Sequence, residues 1–247
     1  MILMAMSFHR EDIERHEVEI MVQRRVAGIL VIPSGSESGH FADAQRVGVP
    51  IISLDRPLKN VETDTLVVEN RRASTLATEH LIKHGHRDIL CVADEENIFT
   101  KSERVTGYTQ AVREAQLPVR VVLVGPTGGT LSDHLNLALG SNPAPTAIFA
   151  TSDLHAVNLL HEFKKRSIKI PDRMAIISFD DFDSASLVDP TITVVRQPVE
   201  ELGHRAASLL LSRINASGSV EFSQVELATE LVVRESCGCE RRPVSID

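Results

Sequence analysis

Cysteine is scarce in this sequence: three residues in 247, Cys91, Cys237 and Cys239. So few thiols cannot build a disulfide framework. Cys91 lies in an apolar run and reads as a small core residue. Cys237 and Cys239 form a terminal C-x-C, which alone is weak evidence for metal or redox chemistry and reads as a frayed tail. Aromatic residues are few as well, with eight Phe, one Tyr and no Trp. No apolar run approaches the roughly 20 residues that span a bilayer. The opening MILMAMSFHRED has a short apolar stretch, no positive segment before it and no small-residue cleavage site. It reads as a buried strand rather than an export signal, so a cytoplasmic protein is expected. A basic excess is missing too. The 26 Lys and Arg are outnumbered by 34 Asp and Glu, for a net charge of −8. That balance argues against nucleic acid as a direct partner of this chain. Short basic runs such as Gln23-Arg24-Arg25 and Glu240-Arg241-Arg242 read as solvated helix ends or tails.

The motifs of several function classes are absent. The glycine-rich stretch Gly125-Pro126-Thr127-Gly128-Gly129-Thr130 has neither G-x-G-x-x-G nor G-K-[ST]. It reads as a strand-to-helix turn with Thr130 as N-cap rather than a phosphate loop. No G-x-S-x-G elbow is present, and no D-x-[DN]-x-[DN]-G calcium loop. An enzyme reading therefore has no catalytic constellation to stand on, and no cofactor or metal is expected. His84-Gly85-His86-Arg87 reads as a helix C-cap whose two histidines point apart.

What is present is an alternation. Hydrophobic content of 43% and charged content of 24% suit a soluble chain with one large or two medium domains. Strands are expected at 2–7, 28–32, 49–54, 66–68, 88–92, 119–124, 146–150, 174–179 and 220–233. Amphipathic helices are expected at 10–25, 38–47, 70–84, 102–115, 130–139, 153–166 and 199–214, with Asn70 capping the third. Short apolar strands alternating with helices imply parallel sheets covered on both faces. In such sheets ligands bind beyond the carboxyl ends of the strands. Polar strand-end residues are therefore candidates: Ser34, Asp55, Asp94, Thr127, Ser152, Asp153, Asp180 and Asp181. Asp180, Asp181 and Asp183 crowd the end of one strand, and their repulsion needs a cause. A carboxylate accepting from two hydroxyls of a neutral polyol explains Asp180 better than a metal does. Arg104, early in a helix, points its fork of donors toward the same crevice or else makes a surface salt bridge.

Eight stretches in the right order settle the choice. They are QRRVAGILVIPS (23–34), GVPIISLDRP (48–57), ATEHLIKHGHRDILCVA (77–93), RVTGYTQAV (104–112), PTAIFATSDLHAV (145–157), IPDRMAIISFDD (170–181), DPTITVVRQPVEELGHRAASLLLSRI (189–214) and ELVVRESCG (230–238). The chain closely resembles the effector-binding core of lactose-repressor-type (LacI family) transcriptional regulators. The resemblance implies an α/β fold of the periplasmic-binding-protein-like type I. Its two lobes are each a mostly parallel sheet flanked by helices, with an effector, a sugar or derivative, bound between them. It implies a first lobe of residues 1–69 plus 199–219, a second of 70–198 plus 220–237, and a tail at 238–247. Asp180 matches the family's strand-end aspartate for effector hydroxyls or ring nitrogens, and Arg104 its effector-gripping arginine. Ser152 falls where many members carry a ligand-binding polar residue, with Asp153 following as in the family. Thr127 falls at another effector position, and Arg72, or Arg71 beside it, lies near a further effector-contact loop. Ser34, a strand-end candidate, is counted with them as an expected effector contact. Thr127 stands where some members carry a stacking aromatic, which leaves the particular sugar open.

The family also implies a homodimer and operator DNA bound through a helix-turn-helix headpiece. That headpiece is not in this chain. Ile2–Ser7 matches the family's second strand, so the first strand and helix are missing as well, and the first lobe is expected to be incomplete. Such an edge would invite pairing with another chain. The rival readings are a sugar-binding transport protein of the same fold, a nucleotide-dependent α/β enzyme, and a degenerate product that binds nothing.

Overall fold

The computed structural model describes residues 1–35, 38–94, 98–216 and 221–239. The expected basic run at 240–242 and the rest of the tail lie outside the described residues. The chain runs through α1 (Glu11–Gln23), β1 (Ile29–Val31), α2 (Gly39–Arg46), β2 (Ile51–Leu54), β3 (Asp64–Val68) and α3 (Asn70–Lys83). It continues through β4 (Ile89–Asp94), α4 (Phe99–Glu114), β5 (Val121–Val124), α5 (Leu131–Leu139), β6 (Ala147–Ala150), α6 (Asp153–Arg166) and β7 (Ala175–Phe179). It closes with β8 (Thr193–Arg196), α7 (Val199–Asn215), β9 (Gln224–Leu227) and β10 (Glu230–Val232). Two compact units result: Met1–Val68 with Pro198–Ala228, and Glu69–Gln197 with Thr229–Asp247.

The first unit holds a sheet in the order β1-β2-β3-β9, every pair parallel. Val18 of α1 and Phe41 and Ala44 of α2 pack with Ile29 and Ile51. Ala206, Leu202 and Leu209 of α7 pack with Ile52 and Leu66. The expected buried strand at residues 2–7 does not form, and Met1, Ile2, Met4 and Met6 are exposed. A strand needs a neighbour for its backbone donors and acceptors. Among the described strands none lies on the free side of β1, whose Leu30 is itself exposed.

The second unit holds a sheet in the order β10-β8-β7-β6-β4-β5, parallel except for β10 against β8. Period-two alternation sends Phe149, Ile177 and Phe179 toward Ala77 and Leu81 of α3 and Tyr108 and Val112 of α4. It sends Ile148 and Ile176 toward Leu135 of α5 and Leu159 and Phe163 of α6. Both faces are covered, which is why these strands read as continuous apolar runs. Helices α3 and α4 approach closely at Gly107, where an added Cβ would sit 2.1 Å from the Arg71 carbonyl oxygen.

The strand expected at 220–233 is two strands in two sheets. β9 pairs with β3 in the first unit, and β10 pairs with β8 in the second. Residues 224–227 therefore stand in the first unit, not in the second lobe as expected. Hydrophobic pattern alone cannot show that a run of strand-like residues changes partners midway.

Candidate functional site

The carboxyl ends of β4, β6 and β7 gather the second unit's polar residues. Arg104, in the second turn of α4, is 5% exposed. Its Nε donates to Asn70 Oδ1 at 2.9 Å, and its Nη1 donates to the Thr151 carbonyl at 2.8 Å and to Asp180 Oδ2 at 3.0 Å. The guanidinium lies over the Phe179 ring, 3.7 Å from its centroid. Three elements and a ring face thus fix one side chain, while Nη2 makes no hydrogen bond among the described residues. Asp180 also accepts from Gln197 Nε2. Asp180 sits at φ +72°, in the left-handed region that L residues other than Asn and Asp rarely adopt. That backbone swings its carboxylate off the line of β7 and onto Arg104.

The crowding of acids at 180–183 resolves by separation. Asp181 accepts from Arg196 at 2.8 and 2.9 Å and from Arg234 at 3.0 and 3.1 Å. Burial works against its ionisation, but the two guanidiniums outweigh it and hold its carboxyl below the usual range. Asp181 is a structural clamp between β8 and the segment after β10. Asp183 is exposed at the start of a 3-10 turn. Neighbouring Asp94, at the end of β4, lies 3.2 Å from His155 Nε2 and 3.1 Å from Lys101 Nζ. Burial again opposes ionisation, and these two partners bring its pKa down to about 2.

The other sequence-predicted residues are held by other partners or are exposed. Ser152 Oγ accepts from His155 N at 3.3 Å as the N-cap of α6, and Asp153 Oδ1 accepts from Leu154 N. Thr127 is exposed in the turn after edge strand β5. Arg72 is exposed and paired with Glu69 at 2.8 Å. Ser34 lies in the first unit, where its N–H donates to the buried Glu14 and its hydroxyl meets Ser7 at 2.6 Å. Thr130 caps α5 as expected, its hydroxyl accepting from Asp133 N at 3.2 Å. Asn70 does not cap α3. It is the first residue of that helix, and its amide is turned to Arg104. Asn70, Phe179, Thr151 and Gln197 are the residues that sequence reasoning missed. Their signal was position: all but Phe179 lie just beyond a strand, and Phe179 immediately precedes the one conspicuous aspartate.

This fold joins an arginine and an aspartate at strand carboxyl ends, where open α/β sheets bind their ligands. Residues 78–237 match the periplasmic binding protein-like domain family. EndR of Paenibacillus polymyxa, a probable HTH-type transcriptional regulator, is 33% identical over 210 residues, 82% of this chain and 61% of EndR. The HTH-type transcriptional repressor PurR of Pasteurella multocida is 31% identical over 232 residues, 92% of this chain and 68% of PurR. A LacI family transcriptional regulator of Enterococcus faecium, crystallised with bound ribose, is 26% identical at a TM-score of 0.80, covering 90% of this chain and 83% of that one. The chain spans about three fifths of EndR's length. It belongs to the periplasmic-binding-protein-like family and, within it, to the LacI family of transcriptional regulators, whose effector-binding core it covers. No helix among the described residues is long and apolar enough to cross a membrane.

Proposed function

We propose that Arg104 and Asp180 hold a hydroxyl-rich effector, a sugar or sugar derivative, in the sensing core of a transcriptional regulator. One observation carries this reading: a nearly buried guanidinium, fixed by Asn70, Thr151 and Phe179, that keeps Nη2 uncommitted among the described residues beside a carboxylate in a left-handed backbone. A cation and an anion side by side can donate to one hydroxyl and accept from the next, which selects among stereoisomers. The bound ribose of the Enterococcus faecium regulator supports a sugar as the ligand class. Ser152, Asp153, Thr127, Arg72 and Ser34 belong to the same proposal as further effector contacts. The whole protein acts, on this reading, as a homodimer on operator DNA through a DNA-binding segment outside this sequence. The relatives described as HTH-type regulators support that part. The effector acts only through its different affinities for two conformations of the protein.

A thermal-shift screen of pentoses, hexoses and their derivatives identifies the ligand, and calorimetry then measures it. Arg104→Ala weakens binding by roughly 1.5–3 kcal/mol for each charged hydrogen bond lost. Unchanged affinity in that variant removes Arg104 from the site.

A further inference from the structure

The second unit carries another cluster, on the helix α3 that begins at Asn70. His80 and His84 stand one turn apart near the end of α3, their ring centroids 4.6 Å from each other. The C-x-C that reads as a frayed tail is docked against them, and Cys237 is fully buried. Gly238, at φ +79°, turns the backbone between the two cysteines so that both thiols face one point. Cys237 Sγ lies 2.8 Å from Cys239 Sγ, and Cys239 Sγ lies 3.0 Å from His80 Nε2 and 3.1 Å from His84 Nε2. The donor atoms of His80, Cys237 and Cys239 all fall within 4.8 Å of one another.

Two features go beyond what packing needs. Three soft or borderline donors from two distant stretches, those of His80, Cys237 and Cys239, converge with His84 beside Cys239, and no carboxylate is among them. The outer member, His84, is exposed and leaves a path for an ion. A tetrahedral zinc with bonds of about 2.3 Å to sulfur and 2.0 Å to nitrogen spaces its sulfurs by about 3.8 Å and sulfur from nitrogen by about 3.5 Å. The pairs that meet at Cys239 Sγ need to open by about 1 Å or less, and the exposed His84 imidazole has to swing in toward the other donors.

We propose that Cys237, Cys239, His80 and His84 form a binding site for a zinc-like divalent cation. The ion fastens the segment after β10 to the end of α3. Three donors make the inner set and His84 completes the tetrahedron from the solvent side. His86 is not a member, since its Nδ1 is engaged with Thr146 Oγ1 at 2.9 Å.

The test is a cobalt titration of the full chain, purified with reductant, stripped by chelator and desalted. The expected result is the intense visible absorption of tetrahedral cobalt together with thiolate-to-cobalt charge transfer. Both saturate at one equivalent and are abolished by one equivalent of zinc. Cys239→Ser, at a partly exposed position, is expected to weaken affinity on the order of 100-fold, and His84→Ala on the order of 10-fold. His86→Ala, which removes a backbone partner of Cys237 but no ligand, weakens it less than either. Circular dichroism of each variant confirms that the fold is kept. No tetrahedral bands in reduced protein would overturn the proposal. So would wild-type affinity in a folded Cys239→Ser variant, or recovery of the chain only as an internal Cys237–Cys239 disulfide that binds no cobalt after reduction.

Discussion

Each unit contains an arginine–aspartate pair, and the two pairs are built differently. In the first unit Arg213 of α7 grips Asp64 of β3 with two parallel bonds of 2.6 and 2.7 Å. Ser223 adds its N–H at 2.9 Å and its hydroxyl at 2.8 Å. Asp64 is fully buried and its lone pairs are spent. Burial raises the cost of its charge, but Arg213 and Ser223 exceed that cost and hold its pKa below the ordinary carboxylate value. In the second unit Arg104 meets Asp180 through a single nitrogen, and the aspartate side chain is 24% exposed. An aspartate that accepts four bonds holds α7 and β9 to β3. Asp180 accepts two and keeps acceptor capacity, as the proposed effector contact requires. Counting bonds per carboxylate distinguishes the two where residue type cannot.

The largest effect is expected from breaking the sealed pair. Asp64→Ala leaves the Arg213 cation without its partner and should cost about 3–5 kcal/mol of unfolding free energy. Urea denaturation measures it, and a loss below about 1 kcal/mol would place this pair with ordinary surface contacts. Asp180→Asn keeps the shape and tolerates the left-handed backbone. It should cost less than half as much stability as Asp64→Ala, while weakening effector binding by about 1.5–3 kcal/mol. An equal stability loss at both aspartates would erase the distinction.

Acid tests a third carboxylate, Asp94 at the end of β4. Asp94 titrates at about 2 in the folded protein against an ordinary 3.8, so its contribution is complete above about pH 5. It is lost as pH falls from about 5 toward 1, an effect of roughly 1–2 kcal/mol after solvent screening. Asp94→Asn should flatten the stability–pH profile in that window and nowhere else. The smallest effect concerns backbone strain. With Asp180 in the left-handed region, Asp180→Gly should be more stable than Asp180→Ala by about 1 kcal/mol. Equal melting temperatures would show that the backbone relaxes when the aspartate is removed.

Much of this architecture was readable beforehand. The apolar runs at β4, β6 and β7 announced strands covered on both faces, and Thr130 and Gly85 marked helix ends by their own chemistry. Arg104 and Asp180 were identifiable together because strand carboxyl ends are where such sheets bind ligands. Asn70 was misassigned for a physical reason. An asparagine at a helix start is a good cap by local rules, and only the packing of α4 on α3 at Gly107 brings Arg104 near enough to engage it. The C-x-C was read as a tail because nothing within the sequence pattern ties residues 237–239 to residues 80–84. The strand expected at 2–7 failed for the converse reason: its composition suits a strand, but pairing is not a property of a segment.

The sequence by itself determined most of the strands and helices, where most of them stop, and which family the chain resembles, because these depend on periodicity and short-range backbone chemistry. Only the tertiary structure decided that Asp180 faces Arg104 while Asp181 is clamped by Arg196 and Arg234. It alone divided one apparent strand into β9 and β10, and it alone brought two cysteines to two histidines. Those outcomes depend on contacts between residues far apart in the chain, which form only when packed elements fix the direction of each side chain.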